Sequence, residues 1–486
     1  MSAQRSAPAE AVAVVWFRRD LRLRDHPALA RAVAAASASA QGGHVVTAFV
    51  VDPALWEPAG PARRAWLVDS LTALDADLRA AGGRLVVRHG DPREVLPRLC
   101  ADAARAAGTV PDAVGVHVSA DAGPYGRERD ADVRTALAER GIRFTATGTP
   151  YAVGPGTLLS GAGTPFQVFS AFRRAWTAHG WPGPAHLHLP DGASARFLDL
   201  PDDGGGIPTR PRRDVPDLPP AGEDAARQAW HRFVDHGLHG YAQGRDRPDL
   251  SGTSQLSAHL KYGEIHPRTL LAGLARAGAP ADDVDSYRSE LCWREFYADV
   301  LWHRPASARE YLRGEYARMR YDSPGERLAA WQQGRTGYPF VDAGMRQMLA
   351  EGWMHNRVRM VVASFLVKDL HLEWQHGARW FMGHLRDGDL ASNSHGWQWV
   401  AGSGTDAAPY FRVFNPVSQG QKFDPDGAYV RRYVPELRHL AGRVAHEPWS
   451  APDGYRHGYP QRIVDHAAER AEALARLAAN KSPHGA

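Results

Sequence analysis

Residues 11–51 read AVAVVWFRRDLRLRDHPALARAVAAASASAQGGHVVTAFVV. The runs 11–17 and 45–51 are almost wholly apolar and rich in Val and Phe. Strands apolar on both faces belong to parallel sheets covered by helices on each side. The Ala- and Leu-rich stretch 28–40 between them is long enough for a crossover helix, which joins parallel strands with a right-handed path. The pattern continues with β-like runs at 84–88, 113–118 and 142–147 and helical stretches at 62–81, 93–107 and 127–140. The spacing predicts a doubly wound parallel sheet of five strands over residues 12–148. Ligands of such sheets bind at the carboxyl ends of the strands.

Residues 149–222 break this period. A Gly-rich stretch, 154–163, leads to one helical patch with Phe166, Phe169, Phe172 and Trp176, and then to a Pro-, Gly- and Asp-rich run at 201–222. This reads as a connector. From 223 to 479 the period is helical, with helices expected at 224–236, 283–301, 338–370 (interrupted near Gly352) and 462–479. The fold class is therefore α/β plus all-α.

Of the 486 residues, 44% are hydrophobic and 23% charged, ordinary for a globular protein. Two cysteines, Cys100 and Cys292, exclude a disulfide scaffold and a cysteine-built metal site. No apolar run reaches the roughly 20 residues that span a bilayer. The first apolar stretch meets Arg18, Arg19 and Asp20 at once and lacks a secretory cleavage pattern, so a cytoplasmic, reducing location is expected. The net charge of +4 points only weakly to an anionic partner. Four of the 58 basic residues are Lys, an Arg bias that GC-rich coding explains as well as phosphate binding does. Tryptophan numbers 15, equal to Phe and to Tyr. Core packing absorbs some of these rings, and stacking surfaces or an electron relay would use the rest.

No Walker A loop, dinucleotide fingerprint or HExxH is present. His186 and His188 sit in a Pro-rich stretch that reads as solvated surface, and no metal site is expected. The chemistry concentrates elsewhere. In 353–360, WMHNRVRM, residues Asn356, Arg359 and Met360 share one helix face. In 387–393, DGDLASN, Asp387 and Asp389 flank a Gly and suit a turn; an Asx turn or helix cap is the plainer use, and Arg359 upstream gives Asp387 a partner. Trp397 and Trp399 at i, i+2 point in different directions, with Trp374 on the preceding helical stretch. Residues 252–257, GTSQLS, precede a helix, where hydroxyls and free N–H groups bind phosphate or simply cap. Tyr241 and Arg245 lie just upstream. Glu290, Trp293 and Arg294 again share a face, offering a carboxyl, a flat ring and a cation to a ring-bearing ligand or a base taken out of a duplex.

Together with 16–23, WFRRDLRL, and 404–416, GTDAAPYFRVFNP, these motifs carry a resemblance over nearly the whole chain. The sequence resembles the photolyase/cryptochrome family, most closely the bacterial class I cyclobutane pyrimidine dimer (CPD) photolyases. The resemblance implies an antenna domain followed by a helical FAD domain. It implies that Tyr241 and the run Thr253, Ser254, Gln255, Leu256 and Ser257, with Arg294, hold the flavin phosphates and ribitol. Gln255 stands where some relatives have Arg. Arg359 and Asp387 pair beside the flavin ring, Asp389 lies near the flavin and its sugar, and Asn393 faces N5.

The implied substrate is UV-damaged DNA. Glu290, Trp293, Asn356, Met360 and Trp399 match the dimer pocket, and Arg245, Arg357 and Gln419 are candidate DNA contacts. Electron donation from photoexcited FADH⁻ splits the cyclobutane ring and the electron returns. Trp397, Trp374 and Tyr321 match the three members of a photoreduction relay, Tyr321 replacing Trp, with Trp331 or Trp302 as substitutes. The loop 121–130, with Arg19, Asp121 and Lys261, resembles relatives that use the deazaflavin 8-HDF rather than the folate MTHF. A monomer with no obligate protein partner is expected. Two other classes compete: a cryptochrome-type light sensor without repair, and a generic nucleotide-binding α/β protein.

Overall fold

The computed structural model describes residues 10–40, 42–187, 189–190, 195–405 and 411–481. Strands β1 (Val12–Phe17), β2 (Gly43–Val51), β3 (Leu85–His89), β4 (Val114–Val118) and β5 (Arg143–Ala146) form a parallel sheet in the order β3-β2-β1-β4-β5. The register of β1 on β2 runs from Val12↔His44 to Phe17↔Phe49. The connecting helices are α1 (Pro27–Ser37), α2 (Pro61–Ala80), α3 (Pro92–Ala106) and α4 (Pro124–Ala138). Each begins on a proline. Its fixed φ suits the first turn, where its missing N–H would have had no partner.

Both sheet faces are buried, as the unbroken apolar runs required. Ala13, Val15 and Phe17 face Leu29 of α1 and Trp66, Leu71 and Leu74 of α2. Val12, Val14 and Trp16 face Leu96 and Leu99 of α3 and Val133 and Leu137 of α4. The sheet has a sixth strand that the sequence did not predict: β6 (Ala195–Phe197), from the connector, pairs in parallel with Gly43–Val45 of β2. Three residues are too few to show a period.

The connector helix α5 (Phe169–His179) buries Phe172 and Trp176. The helical part follows with α6 (Glu223–His236), α7 (Ser257–Tyr262), α8 (Ala281–His303), α9 (Pro339–Glu351), α10 (Asn356–Lys368), α11 (Trp374–His384), α12 (Leu390–Ala401), α13 (Pro416–Phe423) and α14 (His466–Lys481). The expected helix 338–370 is thus two helices. Gly352 (φ +62°) ends α9 in the left-handed conformation, and His355 caps α10. Trp176 Nε1 donates to Glu295 of α8 at 2.6 Å, pinning the connector to the helical part.

The loop after β1 ties the two halves together. Arg19 reaches Asp389 (2.6 Å), Arg268 reaches Asp25 (2.6 Å), and Leu23 N donates to Glu223 (2.7 Å). Among the described residues no helix is long and apolar enough to cross a membrane, and no group of three or more His, Cys, Asp or Glu could hold a metal ion.

Candidate functional site

A cavity of about 490 Å³ opens among α7, α8, α10, α11 and α12. That is a size typical of cofactor sites. The residue triplets read from helical spacing meet there. Glu290, Trp293 and Arg294 come from α8, Asn356, Arg359 and Met360 from α10, and Asn393, Trp397 and Trp399 from α12.

One end is rich in hydroxyls. Tyr241, Thr253, Ser254, Gln255, Leu256 and Ser257 line it. Gln255 is held at φ +51°, a sharp turn in the run before α7. Tyr287 donates to Ser254 Oγ at 2.9 Å. Helix α7 is only six residues long, so discrete hydroxyl and N–H donors outweigh any helix dipole here. Arg294 donates to the carbonyls of Pro150 (3.0 Å) and Leu260 (3.1 Å).

The middle carries paired charges. Arg359 Nη2 lies 2.8 and 3.1 Å from the two Asp387 oxygens. Asp389 is the N-cap of α12, accepting from Ser392 N at 3.1 Å, so the cap use and the ion-pair use of this turn coexist. Burial opposes ionisation of Asp389, but Arg19 and Arg294 outweigh it and hold its carboxyl at about 2. Asn393 Nδ2 donates to Ala378 O at 3.0 Å, leaving its amide oxygen as the free acceptor.

The outer end carries Glu290, Trp293, Asn356, Arg357, Met360 and Trp399. Burial pushes the Glu290 carboxyl up, partly offset by Arg245. Arg245 Nη2 stands 2.7 Å from Glu290 Oε1 without hydrogen-bond alignment, so that buried oxygen makes no hydrogen bond. Arg357 pairs with Asp246 at 2.7 Å. Phe169 of α5 stacks on Trp293 (centroids 3.6 Å, 7° between planes) and fixes its ring.

Two expected contacts, Lys261 and Gln419, lie elsewhere, and two, Arg19 and Asp121, stand at the strand ends. Lys261, expected to contact the antenna chromophore, lines this helical cavity, with its amino nitrogen 3.7 Å over the Tyr262 ring. Its carbonyl accepts from Arg19 Nε at 3.3 Å. Gln419 is on α13 and does not line the cavity. Arg19 and Asp121 stand beyond the carboxyl ends of β1 and β4, and Asp121 pairs with Arg129 at 3.3 Å.

The aromatic path also differs. Trp397 packs on Phe381 (5.0 Å) and Trp331 (6.1 Å), while Trp374 is buried one turn from Gly377, against which the Trp397 ring rests. Tyr321 stacks on Tyr311, and it is Tyr311 that meets Trp374. Trp302 lies apart, beneath Arg127. Residues 406–410 of the motif 404–416, and His188, lie outside the described residues.

Sequence reasoning missed Tyr287, Tyr297 and Lys261 in the cavity wall. Tyr287 was findable, since it sits three residues before Glu290 on the same helix face. Asp246 and Tyr311 gave no signal, because neither lies in a periodic segment.

Two family models match the chain: DNA photolyase over residues 13–190 and the FAD binding domain of DNA photolyase over 287–479. A deoxyribodipyrimidine photo-lyase of Agrobacterium fabrum is 39% identical over 485 residues, covering 96% of this chain and 98% of that protein. A crystal structure of a bacterial class III photolyase from Agrobacterium tumefaciens superposes with a TM-score of 0.86 at 37% identity, covering 99% of this chain and all of that one. The Synechocystis sp. PCC6803 cryptochrome gives 0.78 at 26% identity, covering 97% of this chain and 99% of that one. A parallel-sheet half and a helical half, joined over a cavity built from one shared set of motifs, match these relatives end to end: the chain belongs to the DNA photolyase family.

Proposed function

We propose that the protein repairs cyclobutane pyrimidine dimers in DNA under blue light, with FAD in the helical cavity. The observation that carries this is the continuity of one cavity from the hydroxyl-rich end, through the Arg359–Asp387 pair, to Glu290 and two tryptophans. The residues fit FAD: hydroxyls and Arg294 suit phosphates and ribitol, and the Asn393 oxygen is an acceptor suited to the N5–H of a reduced flavin. When bound and reduced, the flavin supplies a light-driven electron. The protein does the rest.

Trp293 and Trp399 offer flat faces to the two extruded pyrimidines, and Phe169 keeps the first from tilting. Met360 and Asn356 close the side of the pocket. Glu290, whose carboxyl burial pushes up once Arg245 turns away, is placed to share a proton with a pyrimidine carbonyl and to stabilise the charge that builds on the ring as it splits. Arg245 and Arg357, now paired with Glu290 and Asp246, are placed to turn toward phosphate.

Arg19 and Asp121 at the strand ends support a ligand site there, and the loop motif 121–130 favours a deazaflavin (8-HDF) over MTHF as its antenna. Class I membership rests on the sequence motifs, and the class III structural relative weighs against it. Chromophore extraction and mass spectrometry decide the antenna. The protein acts as a cytoplasmic monomer. A second reading, a cryptochrome-type sensor, has one observation in its favour, the Synechocystis likeness. Binding in the dark separates the two. The repair enzyme holds a single-CPD duplex more tightly than the undamaged duplex, and the affinity common to both falls with salt. Equal affinity for the two duplexes contradicts repair.

A further inference from the structure

The expected relay ends at Tyr321, but the structure interposes another ring. Tyr311 meets Trp374 edge-on at 6.2 Å (86° between planes). On its other side it stacks with Tyr321 at 6.1 Å (20°). Its hydroxyl donates to Glu373 Oε1 at 3.4 Å. Glu373 precedes Trp374 as the N-cap residue of α11, so the carboxylate and the indole are fixed to the same turn.

The hydrogen bonding decides where positive charge can rest. Trp374 is 1% exposed, and its indole N–H has no hydrogen-bond partner among the described residues. Oxidised Trp374 therefore has no base for its proton and keeps its charge, which can only move on or return. Trp331, beside Trp397, is wholly buried, and its N–H faces the carbonyl of Val362, a poor proton acceptor. That branch ends in the core. Among the described residues of this path, Tyr311 couples an oxidisable ring to a carboxylate by a hydrogen bond. The Tyr321 hydroxyl donates to the carbonyl of Tyr316 at 3.4 Å and also meets the Tyr311 hydroxyl, but it makes no hydrogen bond to Glu373 among the described residues.

We infer that Tyr311 reduces oxidised Trp374 by losing its electron to the indole and its hydroxyl proton to Glu373, and that Tyr321 extends this radical toward the surface. The inference rests on the cavity being a flavin site. An excited oxidised flavin is the oxidant that takes the first electron, from Trp397, and Trp374 refills Trp397. The Tyr311 ring then refills Trp374 while its proton passes to Glu373 Oε1. The products are neutral Trp374, a neutral phenoxyl radical and a protonated carboxyl. An external thiolate returns one electron, and the proton passes back from Glu373 to the Tyr311 oxygen. Burial, with Tyr321 and Glu373, holds the resting Tyr311 hydroxyl protonated, so the proton leaves only on oxidation. A radical cation that keeps its proton recombines readily. A neutral radical whose proton has moved does not.

The test is flash illumination of the FAD-loaded, oxidised full chain, followed by electron paramagnetic resonance and transient absorption. The expected wild-type result is a long-lived tyrosyl radical whose formation slows in D₂O. Tyr311→Phe loses that radical and shortens charge separation severalfold. Tyr321→Phe keeps it, and Glu373→Gln lowers its yield. An unchanged radical in Tyr311→Phe, or its loss in Tyr321→Phe alone, overturns the assignment. Trp397→Phe is the control for the cavity. A radical that survives in it means that the electron leaves by another path, and the inference fails. Repair by chemically reduced wild type is scored separately, so failure of the repair reading is distinguishable from failure of the relay.

Discussion

Gly377 offers a stringent check on how Trp397 is held. It lies inside α11, where Ala is worth about 1 kcal/mol more than Gly in helix propensity. Propensity alone therefore predicts that Gly377→Ala stabilises the protein. The structure predicts the reverse. A Cβ at this position comes 2.0 Å from Trp397 Cη2 and 2.5 Å from both Cζ2 and Cζ3. Carbon atoms rest about 3.5–4 Å apart, so the indole must retreat by roughly 1.5–2 Å. It has nowhere to go, because Phe381 and Trp331 pack on it at 5.0 and 6.1 Å. Overpacking a rigid ring costs about 1–3 kcal/mol, and a displacement this large belongs at the upper end. The net loss is about 2 kcal/mol. Thermal unfolding should show a lowered Tm, and the shifted ring should slow light-driven bleaching of bound FAD. An equal or higher Tm with unaltered bleaching refutes the placement of Trp397 against α11.

Three further outcomes follow from the geometry. His355 caps α10 by accepting from Arg357 N at 3.2 Å, and burial first, then Arg359 and Arg357, holds its imidazole down at about 4. Because that value is depressed from 6.5, the stabilisation is complete above pH 6.5 and is lost as pH falls toward 4, on the order of 3 kcal/mol. His355→Asn, which keeps the cap acceptor but does not titrate, should flatten the denaturation midpoint across that window, and an unchanged slope contradicts the assignment. Glu290→Gln, which keeps a donor, should preserve more of the repair yield than Glu290→Ala, and in the wild type the yield should fall as rising pH deprotonates the raised carboxyl; equal yields in the two variants remove Glu290 from the electronic step. Trp397→Phe should stop photoreduction of bound FAD, measured by bleaching under blue light with a thiol present, and unimpaired bleaching places the first donor elsewhere.

Most of this architecture was legible because it obeys short-range periods. The runs 11–17 and 45–51 became β1 and β2 within two residues at each end, since a strand buried on both faces has little choice of residue. Glu290, Trp293 and Arg294, like Asn356, Arg359 and Met360, converge on one cavity because helical spacing alone puts each set on one face. The Arg359–Asp387 pair was suggested by charge. What the sequence hid is what chain folding brings together from afar: Arg19 with Asp389, 370 residues apart, Phe169 with Trp293, and Arg245 with Glu290 at the pocket mouth. β6 was too short for a period, Gly352 turned one expected helix into two, and Tyr311 sits outside any α-helix or strand. Lys261 was assigned to one ligand because the domain boundary, where it meets both halves, has no signature in local pattern.

The central claim is that the cavity converts light into repair. The direct measurement uses a single-CPD oligonucleotide, protein chemically reduced beforehand, blue light, and a dark control. The account predicts restoration of both pyrimidines in the light and none in the dark. A yellow, FAD-bound protein that holds the lesion through prolonged illumination without splitting it contradicts the account.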